Sequence, residues 1–573
     1  MVQTKEKRSK IRLKKTNILI TLIILISIVY VTKNLFNHAT RAFSFDEYYI
    51  SSEKNEVSLY TYNQKKQTMI EDSKIYRGTN VEIKNKTKNV EDTIYVEIKH
   101  QDNIYYVKEN ELVANKEDIV KEAEKYVRTS VTVYKNEIDS KIESFIKKGE
   151  QLKIIGYDYL DKQGNVNMYR IEKENITGWV YGKYLVDTQI LALENYNENG
   201  IYDIHKDRKY SKELYGGKTS TLDYYPYEKV EFKDNPLLKN AKAMYLNGTS
   251  KVINQIDKYL EIATTSGVNA IVVDIKDGGL AYPSKIAEEY SPTAYDRAMN
   301  KLENYQSAIK KIKDKGIYVI GRIVVFNDPH FGKDHPEDCI KSSVSSQLWP
   351  SAFSRNAWEY NVELAKEAID LMEFNEIQFD YVRFPEAAYN MSQSETTDFK
   401  NKYNEEKAEA VQNFLIYATD QIHKKNAYLS VDVFGECSGT YVTSYGQYWP
   451  AISNIVDVVS SMPYTDHFGR TTDTWTNAYK TVKKWAEGAV LRQKEIATPA
   501  IARTWITAYD TPHWNPTVIY DAKKISDQAQ ALVDAGLTGG FITWNSGSSL
   551  NKYNQIKTAF NKEYIKTEEK EHE

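Results

Sequence analysis

Cysteine is almost missing from this chain. Its 573 residues include two, Cys339 and Cys437, too few for a disulfide framework or a Cys-rich zinc site. A charge excess is missing too. Lys and Arg number 76 against 79 Asp and Glu, a net −3, so there is no global basic field of the kind nucleic acid attracts. No GxGxxG or GxxxxGK[ST] follows the first parallel-strand candidate, which leaves nucleotide binding without support. No GxSxG elbow follows a strand either, which argues against a Ser-His-Asp hydrolase. Residues 327–339 collect Asp328, His330, Asp334, His335 and Asp338, but their spacing matches no standard zinc motif. They read as a solvated polar loop, and no metal or other cofactor is expected.

What is present is length, tyrosine and pattern. The length exceeds what one core can organise and predicts several domains. Tyr, at 45 residues against 17 Phe and 9 Trp, supplies rings with an apolar face and a polar tip, suited to stacking on sugars. Near the start, residues 1–15 form a basic tail with seven Lys and Arg between positions 5 and 15. Residues 16–32 read TNILITLIILISIVYVT without a charge, at the short end for a membrane span. No small-x-small cleavage site follows directly. Residues 16–33 are therefore expected to be an uncleaved signal anchor. The basic side stays in the cytoplasm and the bulk of the chain lies outside the cell membrane.

Period-2 alternation marks short antiparallel strands over residues 126–186: VTVY, QLKIIGY, NMYRIE and ITGWVYGKYLV. The closing GWVYGKYLV, with Gly178 and Trp179, resembles the bacterial SH3-like domain, here residues 125–187. An earlier stretch, RGTNVEIKN, DTIYVEIKH and NIYYVKENELV, runs parallel to it without the GW pair and predicts a degenerate copy over 45–115. The resemblance implies modules that bind cell-wall glycopeptide. Residues 188–238 have no sustained periodicity and read as a linker.

From residue 239 to 562 short apolar runs alternate with amphipathic stretches, the βαβα pattern of a parallel sheet. Eight strands are predicted: 241–247, 269–275, 317–326, 376–382, 427–434, 456–462, 495–501 and 539–544. Eight repeats over about 320 residues fit an α/β fold, a (β/α)₈ TIM barrel. Residues 563–573 form a polar tail. Parity then places the chemistry. In strand four Ile377, Phe379 and Tyr381 share one face and Gln378 and Asp380 the other. With the apolar face toward the helices, Asp380 points into the barrel. The same rule turns Asp274 of strand two, Arg322 of strand three and Asp432 of strand five inward. All lie near the C-terminal strand ends, where barrel active sites are built. Several carboxylates there suit glycoside hydrolysis, which needs one carboxylic acid for the leaving oxygen and one carboxylate beside an oxocarbenium-like centre.

The segments MYLNG, NAIVVDIKDGG, GIYVIGRIVVFNDP, NEIQFDYVRFPE, SVDVFGE, SSMPYTDHFG and GGFITWNSG, in order, resemble a bacterial family of glycoside-hydrolase-like barrels related to the α-amylase-like barrels, with FDYVRFP as its most specific block. The resemblance implies a glycosidase. Asp380 takes the strand-four carboxylate role, and Asp432 or Glu436 supplies the second carboxyl. Arg322 and Arg383 would hold Asp380 ionised by proximity, and His467, Trp544 and Asn545 would line the sugar site with Asp274. The expected function is cleavage of a cell-wall or extracellular polysaccharide. The alternative is a non-catalytic glycan-binding or envelope-scaffold protein built on a degenerate barrel.

Overall fold

The structure is a computed structural model and describes residues 47–208, 213–469, 471 and 473–567. The expected signal anchor, residues 16–33, lies outside the described residues. Among those described, no helix is long and apolar enough to cross a membrane.

The chain divides into two compact units. One comprises residues up to 126 together with 151–187, the other 127–150 together with 188–573. In the first unit, strands from Glu47 to Val113 form one antiparallel sheet around Ile50, Val57, Leu59, Ile75, Val81, Ile98 and Val107. Its end repeats further along the chain. Strand Asn103–Lys108, a 3₁₀ turn and Leu112–Val113 find their counterparts in Ile176–Tyr181, a 3₁₀ turn and Leu185–Val186. The repeat seen in the sequence is thus a repeat of element order. A buried ion pair, Arg77 Nη1 to Glu122 Oε1 at 2.6 Å, joins the two stretches, with the Tyr169 hydroxyl donating to Glu122 at 3.0 Å.

The second unit is built on a barrel-like sheet of nine parallel strand segments. In chain order they are β1 (Ala241–Leu246), β2 (Ala270–Lys276), β3 (Tyr318–Val324), β4 (Glu376–Asp380), β5 (Tyr428–Phe434), β6 (Val458–Met462), β7 (Ile501–Ala502), β8 (Thr504–Thr507) and β9 (Gly540–Trp544). Their order in the sheet is β7-β6-β5-β4-β3-β2-β1-β9-β8. Seven predicted strands overlap these closely. The seventh does not: 495–501 was expected and 501–507 is observed. Pro499 has no N–H to give a ladder, and pairing begins only at Ile501, opposite Val458. The segment is also interrupted. Arg503 separates β7 from β8 and donates its own N–H to the Val459 carbonyl at 3.0 Å. β7 pairs with β6 and β8 with β9, so residues 501–507 bridge the two ends of the sheet.

Alternation fills the interior. Ala241, Ala243 and Tyr245 of β1, Ala270 and Val272 of β2, Ile320, Trp505 and Ile542 form one buried cluster. The small residues leave room for the large ones, as a barrel's tapering layers require. Gly540, at φ 83°, brings β9 against β1, and a Cβ there would lie 2.0 Å from the Ala241 carbonyl oxygen. One floor of the interior is ionic. Arg503, fully buried, bonds Glu376 Oε1 at 2.7 Å and the Leu238 carbonyl at 2.9 Å.

The helices follow their sequence signals. Leu302–Asp314, Arg355–Met372 and Ala522–Ala535 bury apolar stripes, and the last stops at Gly536 in the left-handed region. Two further pieces belong to this unit. Residues 131–146 form a hairpin whose Tyr134 stacks on Tyr417, ring centroids 6.1 Å apart, and whose Phe145 lies 4.4 Å from the Arg355 guanidinium. The expected linker is partly folded onto the barrel: Ile201, Leu222 and Tyr224 share a core with Ala408, Val442, Tyr448 and Ile496.

Candidate active site

The C-terminal ends of β2, β3, β4 and β5 converge on one guanidinium. Arg322 reaches inward from β3 and is 2% exposed. Its Nη1 bonds Asp274 Oδ1 at 2.7 Å and Asp277 Oδ2 at 3.0 Å. Its Nη2 and Nε bond Asp380 Oδ2 at 2.6 and 3.2 Å, and Nε lies 3.7 Å from Asp432 Oδ2. Strand parity carries four of these five side chains inward. The fifth, Asp277, sits in the turn just past β2 and is the accessible member, with a side-chain exposure of 41%.

The carboxyls differ in surroundings. Asp380 Oδ1 accepts the Tyr381 N–H at 2.6 Å. Tyr381 takes φ 55°, which ends β4 at Asp380 and turns the chain aside. Asp432 is 1% exposed; Trp505 Nε1 donates to its Oδ1 at 2.7 Å, and its Oδ2 has no hydrogen-bond partner. Burial, with Asp380 as the nearest repulsive charge, raises the Asp432 pKa well above the usual carboxylate range. Asp274 accepts the Tyr245 hydroxyl on Oδ2. Burial pushes its pKa up to about 6, against the opposing pull of Arg322.

The sign of that shift can be tested. A folded-state pKa above the unfolded one means that the fold keeps a proton the open chain releases. The native chain therefore loses stability as pH rises from about 4 through 6. Asp274→Asn removes this dependence. Measured by denaturant unfolding, the variant is expected to gain about 2 kcal/mol on the native chain between pH 4 and pH 7. A gap that stays constant would mean that Asp274 is not raised.

Aromatic rings close one side. Trp544, half-buried at the end of β9, packs on Tyr245, Trp505 and Tyr464 with centroids 4.6, 5.4 and 6.4 Å away. Tyr464 also meets Tyr509, whose hydroxyl donates to Asp466 Oδ1 at 2.6 Å. His467 is exposed with its ring 5.3 Å from Tyr464. Asn545 turns to the backbone instead and donates to the Ser549 carbonyl at 3.2 Å.

Two expectations need refinement. Arg383 lies near enough to Asp380 for their charges to interact, as expected, but makes no hydrogen bond to it. Because Tyr381 redirects the chain, its guanidinium donates to the Phe384 carbonyl and to Glu386, among the rings of Trp349, Tyr381, Phe434 and Tyr445. Nor is 327–339 simply a solvated loop. Asp328 is buried, caps the helix Pro329–Asp334 and pairs with buried Lys276 at 2.5 Å. Glu436 stands apart from the Arg322 cluster, exposed past β5, with the Tyr441 and Tyr445 hydroxyls donating to its two oxygens at 2.7 and 2.8 Å. Sequence reasoning missed Asp277, Tyr245, Trp505, Tyr464, Asp466 and Tyr509. Parity on β1 and on IARTWIT would have shown Tyr245 and Trp505.

Residues 243–552 match the profile of the family described as "Putative glycosyl hydrolase domain". The chain belongs to this family. No match is found among curated proteins. Among solved structures, a hypothetical protein from Ruminiclostridium thermocellum is 32% identical, covering 33% of this chain and 97% of that one at a TM-score of 0.28. The PgaB (BpsB) glycoside hydrolase domain of Bordetella bronchiseptica is 12% identical, covering 57% and 100% at 0.40. The spore cortex-lytic enzyme SleL of Bacillus megaterium is 12% identical, covering 58% and 76% at 0.36.

Proposed function

We propose that this protein is a glycoside hydrolase that cleaves a cell-wall or extracellular polysaccharide by a two-carboxylate mechanism. The observation that carries the reading is the Asp380 carboxylate, fixed by Arg322 and the Tyr381 N–H at the C-terminal end of a parallel barrel strand. Family membership supports it. Asp380 faces the anomeric carbon, where an oxocarbenium-like charge develops. Glu436 gives its proton to the leaving glycosidic oxygen. This choice over Asp432 rests on access, because a proton donor must touch the leaving oxygen, and Asp432 is enclosed beneath Trp505 whereas Glu436 is open. Asp432 then serves Asp380 as a buried neighbour whose pKa burial raises. In the same reading the SH3-like stretches hold the enzyme on wall glycan, and residues 16–33 anchor it to the membrane.

The first test is a panel of polysaccharides incubated with the purified exported portion, residues 34–573. New reducing ends support the reading; wall binding without cleavage would establish the scaffold alternative instead. Glu436→Gln is expected to lower kcat about 10²–10⁴-fold on a natural glycan. It should spare an aryl glycoside whose leaving group needs no proton. Equal losses on both substrates would remove Glu436 from the donor role.

A further inference from the structure

A group of metal-ligating side chains lies outside the Arg322 cluster. His335, Glu337 and Asp338 each offer a ligand atom, and these atoms lie within 4.8 Å of one another. Among the described residues no other three His, Cys, Asp or Glu side chains come so close. The chain arranges this locally. Helix Pro329–Asp334 stops at His335, and Pro336 opens a single 3₁₀ turn, Pro336–Asp338. Proline fixes φ there, and three side chains from four consecutive residues converge. The spacing is that of no standard zinc motif; the turn, not the spacing, brings the atoms together.

The imidazole is oriented as a ligand would be. Its Nε2 lies 2.7 Å from the Tyr290 carbonyl oxygen. A carbonyl only accepts, so Nε2 carries the ring proton. Such a bond from the far nitrogen sets the tautomer and raises the basicity of histidine metal ligands. Nδ1 then faces Glu337 Oε1 at 3.2 Å and Asn356 Nδ2 at 3.3 Å. Asn356 also donates to Asp338 Oδ2 at 2.9 Å, which fixes its amide nitrogen on this side. An N–H directed at Nδ1 marks a lone pair there. That lone pair and a carboxylate oxygen meet with no proton between them, an arrangement that a cation relieves. Their separation is close to the edge, about 3.3 Å, of a tetrahedron whose centre-to-corner bonds are about 2.0 Å, the length of zinc's bonds to nitrogen and oxygen. Asp338 is held as well: Ser354, the cap of helix Arg355–Met372, donates to its Oδ1 at 2.6 Å. A carboxylate has about four lone-pair positions, so both of these bonds leave room for an ion.

We propose that His335, Glu337 and Asp338 bind one divalent transition-metal ion of the zinc class, through one nitrogen and two carboxylate oxygens, with water completing its shell. Imidazole favours such an ion over Ca²⁺ and Mg²⁺, which take oxygen ligands. The ion ties the loop after β3 to the start of the long helix. That loop begins at Asp328, the partner of Lys276 at the end of β2. The inference stands apart from the glycoside-hydrolase reading. Its test is calorimetry with ZnCl₂ on the full chain after chelator treatment. The native chain is expected to bind one ion that His335→Gln and Glu337→Gln each weaken by at least about tenfold, the loss that even an outer partner's removal brings. Zn²⁺ should raise the unfolding midpoint of the native chain and leave that of Glu337→Gln in place. The Glu337 side chain is 69% exposed, so this variant decides the matter if His335→Gln fails to fold. Equal Zn²⁺ binding by native and variant chains, or none by any, overturns the proposal and leaves a His335–Glu337 ion pair in its place. Ca²⁺ bound as tightly as Zn²⁺ overturns it too, because the imidazole would then have no part.

Discussion

Replacing Asp380 with Asn is expected to lower kcat/KM on any glycan the protein cleaves by ~10³-fold or more, as loss of a group acting on the reacting centre does. The change is nearly isosteric. The amide oxygen can still accept the Tyr381 N–H, and Arg322 keeps its bonds to Asp274 and Asp277, so folding should survive. Thermal unfolding measured beside activity separates the two. A variant that folds and keeps more than about a tenth of native activity would rule out direct participation of Asp380 in the chemistry.

Arg322→Met should have the largest effect on stability. Three of the carboxyls it serves, Asp274, Asp380 and Asp432, are 2%, 4% and 1% exposed. Removing the cation leaves them buried among one another with no counter-charge, a change that typically costs about 3–5 kcal/mol. Activity should fall as well, because Asp380 loses two of its three donors. Arg322→Lys is expected to fall between the two, since an ammonium keeps the charge but cannot span Asp274 and Asp380 with one rigid fork. The measurement is the denaturation midpoint of the barrel unit. An unchanged midpoint in Arg322→Met would mean that the cluster is not the electrostatic centre described.

Much of this site was legible in the sequence for a specific reason. Strands buried on both faces leave few places for a charge, and alternation fixes which face each charge takes. Asp274, Arg322, Asp380 and Asp432 fall out of that rule alone. The rule stops where the strand stops. Asp277 lies in the turn after β2, and Arg383 follows a residue in the left-handed region, so neither direction could be inferred from spacing. The seventh strand failed differently. Its interior residues, Arg503 and Thr507, are polar, while the apolar run just upstream looks more like a strand than the strand itself. Trp505 was lost with it. The ionic floor explains the polarity, since Arg503 is an interior residue because Glu376 faces it.

The hairpin at 131–146 gives the hydrolase unit an uneven outline in the chain. The family profile begins at residue 243, yet the unit's first residues come more than a hundred positions earlier, before the chain leaves to complete the other unit and returns at 188. A gene fragment cut at the profile's edge would carry the Arg322 cluster and leave behind Tyr134 and Phe145. The rings and the buried arginine that they cover, Tyr417, Tyr403 and Arg355, would then face water. The smallest heritable piece of this fold is longer than the piece that its family resemblance marks.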